Sequence, residues 1–299
     1  MSSRRISADY VRRVNRVIDH VLDHLDETLS LDCLAQIACF SPFHFHRIFS
    51  AVQGESLHDF VKRMRLERAA ALIKNGDRRS LTAIALTCGF GSSADFSKSF
   101  KKHFGFPPSQ FDRDRLDAML ATRGEDRDVL CALRSTTPFA DDEFEVSISQ
   151  EPALHVVYIR IADPISGDNL ARGYDRLIDF GRARGLLDQA TQIGVSQDDL
   201  EITPVDKLRY DFCLTVPAGT RGAGEICTRV IPGGDYASLH IAGDLERVAR
   251  GWDFLYRHWL LRSRYQPSPE PAMEVYRRTP LELGWEVYDL DARIPVVAL

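Results

Sequence analysis

Two short segments near the amino end carry side chains able to read or clamp a nucleic acid. The first holds Phe43, His44, His46 and Arg47. A guanidinium can fork onto guanine, an imidazole can donate to a base edge or a phosphate, and a phenyl ring can pack on a thymine methyl. In the alternative arrangement Phe43 and His44 only complete the core. The second segment holds Ser93, Ala94, Ser97 and Lys98, followed by Lys101, Lys102 and His103. These lysines are either cations that complement the carboxyl end of a helix or phosphate clamps, and their basic surroundings favour clamps.

The elements that must hold these side chains are legible from apolar spacing. Leu34-Ala35-Gln36-Ile37-Ala38-Cys39-Phe40 recurs about 50 residues later as Ile84-Ala85-Leu86-Thr87-Cys88-Gly89-Phe90. Each copy leads into a second apolar-periodic stretch, with Phe45, Ile48 and Phe49 inward in one and Phe96, Phe100 and Phe104 inward in the other. Each is therefore helix, tight turn, helix, the unit that lays its second helix in a DNA major groove. Ser30 and Ser80 are placed to cap the first helix of each pair, and Ser41-Pro42 to start the reading helix of the first. An amphipathic helix over 9–26 precedes the pairs. A long helix from Ser56 to Lys74 joins them and ends at Asn75-Gly76.

Charge divides the chain the same way. The net charge is −5, yet residues 1–115 carry 18 Lys and Arg against 13 Asp and Glu, so the acidity lies in the remainder. A basic amino-terminal third on an acidic body fits a phosphate-binding module joined to something that avoids nucleic acid. At 299 residues two domains are expected. No apolar run reaches the ~18 residues of a membrane span and the start lacks a signal-peptide region, so a cytoplasmic protein is expected. The six cysteines form no CxxC pair and have no histidines at metal-ligand spacing. Cys33, Cys39 and Cys88 are expected as small buried apolar residues, with no metal and no cofactor.

Residues 114–142 read as a linker, with Leu116, Met119 and Leu120 able to extend a short helix. Beyond it strands at 145–148, 154–161, 192–195 and 210–216 surround a helix from Leu170 to about Arg184. The pattern recurs as strands at 227–231 and 234–241, a helix from Leu245 to Arg262, and strands at 272–276 and 285–290. Two such halves fit one α+β domain with a pseudo-twofold axis and a cleft between the halves.

The run Ala35, Ser41, His44, Arg47, Phe49, Gly54, Arg65-Leu66, Ala69, Ile84-Ala85, Gly89-Phe90, Phe96, Phe100-Lys101, Gly105, Pro108 resembles the DNA-binding domain of AraC/XylS-family transcription regulators. The resemblance covers residues 8–113. It implies an all-α domain of seven helices with two helix-turn-helix units, at about 31–52 and 80–104, in adjacent major grooves of double-stranded DNA. It places base contacts on Phe43, His46 and Arg47 and on Ser93, Ala94 and Lys98, and makes RNA polymerase an expected partner. The sequence departs from the family at Asp112, where Arg is usual, leaving neighbouring Arg113 to supply that phosphate contact.

Gly233-Gly234-Asp235-Tyr236-Ala237, Trp252 with Tyr256-Arg257-His258-Trp259-Leu260, Pro271 to Tyr276, Trp285 to Tyr288 and Ile294-Pro295-Val296 resemble the GyrI-like, or SOUL-like, ligand-binding domain. This resemblance covers residues 143–299, and such domains occur joined to AraC-type domains, as in Rob-like regulators. The family's central acidic residue falls on Glu274. A carboxylate flanked by Tyr236, Trp252, Tyr276, Trp285 and Tyr288 suits an aromatic or amphipathic cation through stacking, cation–π contact and ion pairing. If these aromatics are core, Glu274 faces solvent instead. The leading expectation is a transcription regulator governed by a small-molecule effector. A GyrI-like hydrolase or drug-sequestering protein is the rival, since a buried glutamate can act as a general base. The chain lacks Gly-x-Ser-x-Gly, a metal set and a Cys/His pair at catalytic spacing, so no enzyme is expected. A third possibility is an architectural binder without a switch.

Overall fold

A computed structural model describes residues 7–121, 139–140, 143–268 and 270–299, apart from the side chains of Arg113 and Ala121. Most of the expected linker, and Cys131, lie outside the described residues. The rest divides into two compact units, one helical and one built on a sheet.

The helical unit runs α1 (Ala8–Asp23), α2 (Leu31–Ile37), α3 (Pro42–Gln53), α4 (Leu57–Lys74), α5 (Leu81–Thr87), α6 (Ser93–Phe104) and α7 (Arg113–Ala121). Each of α2 to α6 begins on a serine, Ser30, Ser41, Ser56, Ser80 and Ser92, whose hydroxyl accepts a backbone N–H of the first turn. One such cap stabilises a helix by about 1 kcal/mol. Helices α3 and α6 both end on a left-handed glycine, Gly54 and Gly105. Val14, Val17, Ile18, Phe45, Phe49 and Phe60 bury the first helix pair. Phe90, Phe96, Phe100, Phe104 and Phe111 form a chain of ring contacts beneath the second. The packed unit continues past residue 113, because α7 buries Leu116 and Leu120. Asp112 caps α7, accepting the N–H of Arg115 at 2.9 Å.

The second unit is one layer of strands, antiparallel in its pairings: β1 (Val146–Glu151), β2 (Leu154–Ala162), β3 (Gln192–Ser196), β4 (Arg209–Thr215), β5 (Cys227–Ile231), β6 (Gly234–Gly243), β7 (Tyr265–Pro267), β8 (Met273–Arg278) and β9 (Tyr288–Ala298). Its order is β1-β6-β9-β8-β3-β4-β2-β5, with β7 also on β9. Helix α8 (Asn169–Ala183) follows β2, and α9 (Leu245–Asp253) follows β6 and continues through a π-helical turn, Phe254–Trp259. A short α10 (Pro280–Leu283) precedes β9. The leading strand of each half pairs with the other half: β1 with β6, and β5 with β2.

Register makes the pseudo-twofold explicit. One row crosses the sheet as Ile159, Phe212, Gly194, Glu274, Ala292 and Leu239, each opposite the next. Directly paired residues share a face. Residues on the two sides match 80 positions apart: Ile159 with Leu239, Gly194 with Glu274, Phe212 with Ala292. The axis therefore passes between Gly194 and Glu274. Both helices lie on this face. A Cβ on Gly173 of α8 would strike the Ile161 side chain, and one on Gly251 of α9 would strike those of Ile241 and Leu239.

Two expectations are corrected. The strand read at 285–290 starts at Tyr288 and runs to Ala298, because Trp285 to Val287 lie in the approach to it. Of the cysteines expected to be buried, only Cys88 is; Cys33 and Cys39 are exposed, on α2 and on the turn after it. Burial pushes the Cys88 thiol up to about 11 and that of Cys213 to about 12, so both stay protonated and unreactive.

Candidate nucleic-acid interface and ligand site

Phe45 and Phe49 anchor α3 from below, which turns Phe43, His44, His46 and Arg47 to the exposed side. Phe43 is 64% exposed, so its ring does not complete the core. The Arg47 guanidinium lies over that ring, 4.6 Å from its centre. In α6, Phe96, Phe100 and Phe104 do the same for the opposite face: Ala94, Lys98, Lys101 and Lys102 are exposed and Ser93 is partly so. Counted from the capping serines Ser41 and Ser92, Arg47 and Lys98 hold the same place, as do Phe43 and Ala94.

The turns inside the two units also correspond. Cys39 and Gly89 both have positive φ, 55° and 81°. At Gly89 no side chain fits, since a Cβ would lie 2.1 Å from the Leu25 carbonyl oxygen and 2.7 Å from Arg65 Nε. Arg65, on α4, donates to the carbonyls of Leu25 and Glu27 at 2.8 and 2.7 Å. One α4 side chain thus bonds the loop after α1 and lies against the turn of the second helix pair. Arg65 stood only in the family pattern; its structural role has no signature in composition or periodicity.

In the sheet unit, Glu274 is held from three sides. Its Oε2 accepts the Tyr210 hydroxyl at 2.5 Å, and its Oε1 accepts the indole N–H of Trp252 at 3.1 Å. The Tyr276 hydroxyl closes the third side, 3.3 Å from that of Tyr210. Burial pushes the Glu274 carboxyl above the usual carboxylate range, and the three donors only partly offset this. Burial, then the neighbouring charge of Glu274, keeps the hydroxyls of Tyr210 and Tyr276 protonated as donors. Gly194 makes room for the arrangement: a Cβ there would lie 1.7 Å from the Tyr210 hydroxyl oxygen.

Rings flank the carboxyl. Trp252 stacks with Tyr256 at 6.2 Å. Trp285 meets Tyr174 at 5.3 Å and Phe212 at 6.0 Å edge-on, and Phe212 lies 6.4 Å from Tyr276. The structure thus brings Glu274, Trp252, Tyr276 and Trp285 into one neighbourhood. Tyr236 is placed elsewhere. It is three residues from Leu239 on a strand whose side chains alternate, so it faces the other side of the sheet and donates to the Pro232 carbonyl at 2.9 Å. Tyr210, Phe212, Tyr174 and Gly194 were missed; the signal that locates them is the 80-residue offset, which makes Gly194 the counterpart of Glu274. An ionisable group ringed by aromatics, with its oxygens fixed by neutral donors, is suited to a planar organic cation. Among the described residues no group of three or more His, Cys, Asp or Glu side chains is disposed to hold a metal, and no helix is long and apolar enough to cross a membrane.

Residues 144–297 match the family model described as the GyrI-like small molecule binding domain, and residues 34–114 match a helix-turn-helix domain. The uncharacterized HTH-type transcriptional regulator YbfP of Bacillus subtilis (strain 168) is 35% identical over 102 residues, 34% of either chain. The probable transcription factor PqrA of Proteus vulgaris is 37% identical over 86 residues, 29% of this chain and 70% of that protein. The Right origin-binding protein of Escherichia coli (strain K12) is 34% identical over 90 residues, 30% of this chain and 31% of its own length. The match to YbfP and to the Right origin-binding protein thus spans about a third of each.

Proposed function

Because the chain belongs to the GyrI-like small-molecule-binding family and joins that domain to an AraC-type helix-turn-helix domain, we propose that it is a sequence-specific transcription regulator whose DNA binding responds to a small aromatic cation. The observation that carries this reading is the repeated reading helix, with Arg47 and Lys98 at the same exposed place in two capped units. In this reading Phe43, His46, Arg47, Ser93, Ala94 and Lys98 meet base edges of double-stranded DNA, and Lys101 and Lys102 clamp phosphates. Glu274, Trp252, Tyr276 and Trp285 hold the effector. RNA polymerase is the partner in regulation and the cytoplasm the site of action. Effector control requires a ligand that binds one conformational state more tightly than another.

The regulator should protect a defined site of about two helical turns. Arg47→Ala should cost ~1–3 kcal/mol at that site and relax base preference; an unchanged preference in the variant refutes the role of Arg47. Uniform coating of DNA supports an architectural binder instead.

One feature favours a second reading, a hydrolase. A carboxyl with a raised pKa beside two tyrosine hydroxyls has the equipment of a general acid or base. We regard the chain as a binder and not an enzyme, since the curated relatives it matches are named as regulators. Turnover of an electrophilic small molecule that disappears in Glu274→Gln would reverse that choice.

A further inference from the structure

We propose that Phe43 and Arg47 act as one stacked unit that reads a guanine and a thymine in adjacent base pairs. The inference rests on the regulator reading above. Both side chains project from the exposed face of α3, whose start is fixed by the Ser41 cap and Pro42. They are one helical turn apart, and the guanidinium lies over the ring at 4.6 Å. A free arginine on a surface loses rotamer freedom when it forks onto a base; one already stacked loses less.

The stack also sets a distance. When the guanidinium lies in the plane of guanine to bond its O6 and N7, a ring stacked on it is displaced by roughly one layer. Base pairs rise ~3.4 Å, so the ring sits at the level of the neighbouring pair. The apolar group a base edge presents there in the major groove is the C5 methyl of thymine. His44, whose ring meets that of Phe43 edge-on at 5.5 Å, supports the ring on another side. The second unit has no such pair. Ala94 and Lys98 occupy the corresponding places, so this doublet belongs to one block of the operator only.

The test uses the full chain and an operator obtained by selection from random duplexes. The guanine read by Arg47 is the one whose preference disappears in Arg47→Ala. Each thymine in the flanking pairs is then replaced by deoxyuridine, which removes only the methyl. At one flank the wild type should bind about fourfold more weakly, the effect of withdrawing one methyl from an apolar contact. Phe43→Ala should be indifferent to the replacement, and deoxyuridine in the second block should have no effect on either protein. Unchanged wild-type affinity at both flanks overturns the proposal, as does an equal loss in Phe43→Ala. Sequence-specific binding that persists in those cases leaves the regulator reading standing, whereas a protein with no sequence preference at all ends both.

Discussion

At the scale of single residues, Glu274 and Gly194 form the centre of the proposed ligand site from opposite sides of the pseudo-twofold. A carboxyl whose folded pKa lies above its unfolded value holds its proton more tightly in the folded chain. Its contribution to stability is present at low pH and is lost as pH rises through the folded value. Glu274 is such a group, since burial dominates its shift. Glu274→Gln should therefore flatten the fall in thermal stability above the ordinary carboxylate range; an unaltered profile would show that Glu274 does not ionise there. A cation adds attraction for the charged form, so its affinity should rise with pH over the same window, and titration calorimetry in two buffers should register proton release. Gly194→Ala is the structural counterpart. With its Cβ 1.7 Å from the Tyr210 hydroxyl oxygen, it should displace that donor and cost about 1–3 kcal/mol. Wild-type stability in this variant would mean that Tyr210 has another place to go.

At the scale of elements, the two helix-turn-helix units show what spacing can and cannot tell. Serine caps, inward phenylalanines and the Ser56–Lys74 helix are local signals, and periodicity reads them directly. Tyr236 failed because face parity on a strand depends on register with neighbours two strands away, which the sequence of one strand does not contain. The approach through Trp285 failed because its aromatics imitate a strand while the backbone turns. Likewise, the helix from Leu245 to Arg262 carries its period unbroken, yet it passes through a π turn. There Phe254 and His258 receive Phe139, and Phe144 also packs on Phe254. The Glu143 carboxylate joins Arg247 and Arg250 on the preceding turns. The equivalent turn positions offer a comparison. Gly89→Ala places a Cβ against the Leu25 carbonyl in a left-handed conformation and should destabilise by more than ~2 kcal/mol. Cys39→Gly relieves a left-handed residue worth roughly 1–2 kcal/mol, less the ~0.4–1 kcal/mol that glycine adds to unfolded-chain entropy. It should be neutral to mildly stabilising in chemical denaturation; a large loss would show that the thiol contributes more than its conformation costs.

At the scale of the whole molecule, the fold class was legible because two repeats, one of about 50 residues and one of 80, are written into one chain. The spread of charge points the same way: residues 1–115 are basic and the remainder acidic. Attraction to phosphates should then belong to the helical unit alone. Lys101→Ala should weaken binding to every duplex and lower the salt slope by about one; an unaltered slope would make Lys101 an ordinary capping charge. The regulator reading requires that two similar reading helices meet one duplex together. It is tested most directly by selecting binding sites from random DNA with the full chain and with Arg47→Ala. Two conserved blocks are expected with centres about one helical turn apart, ~34 Å, of which only one is blurred in the variant. A single block, or blocks equally sharp in both proteins, would contradict it.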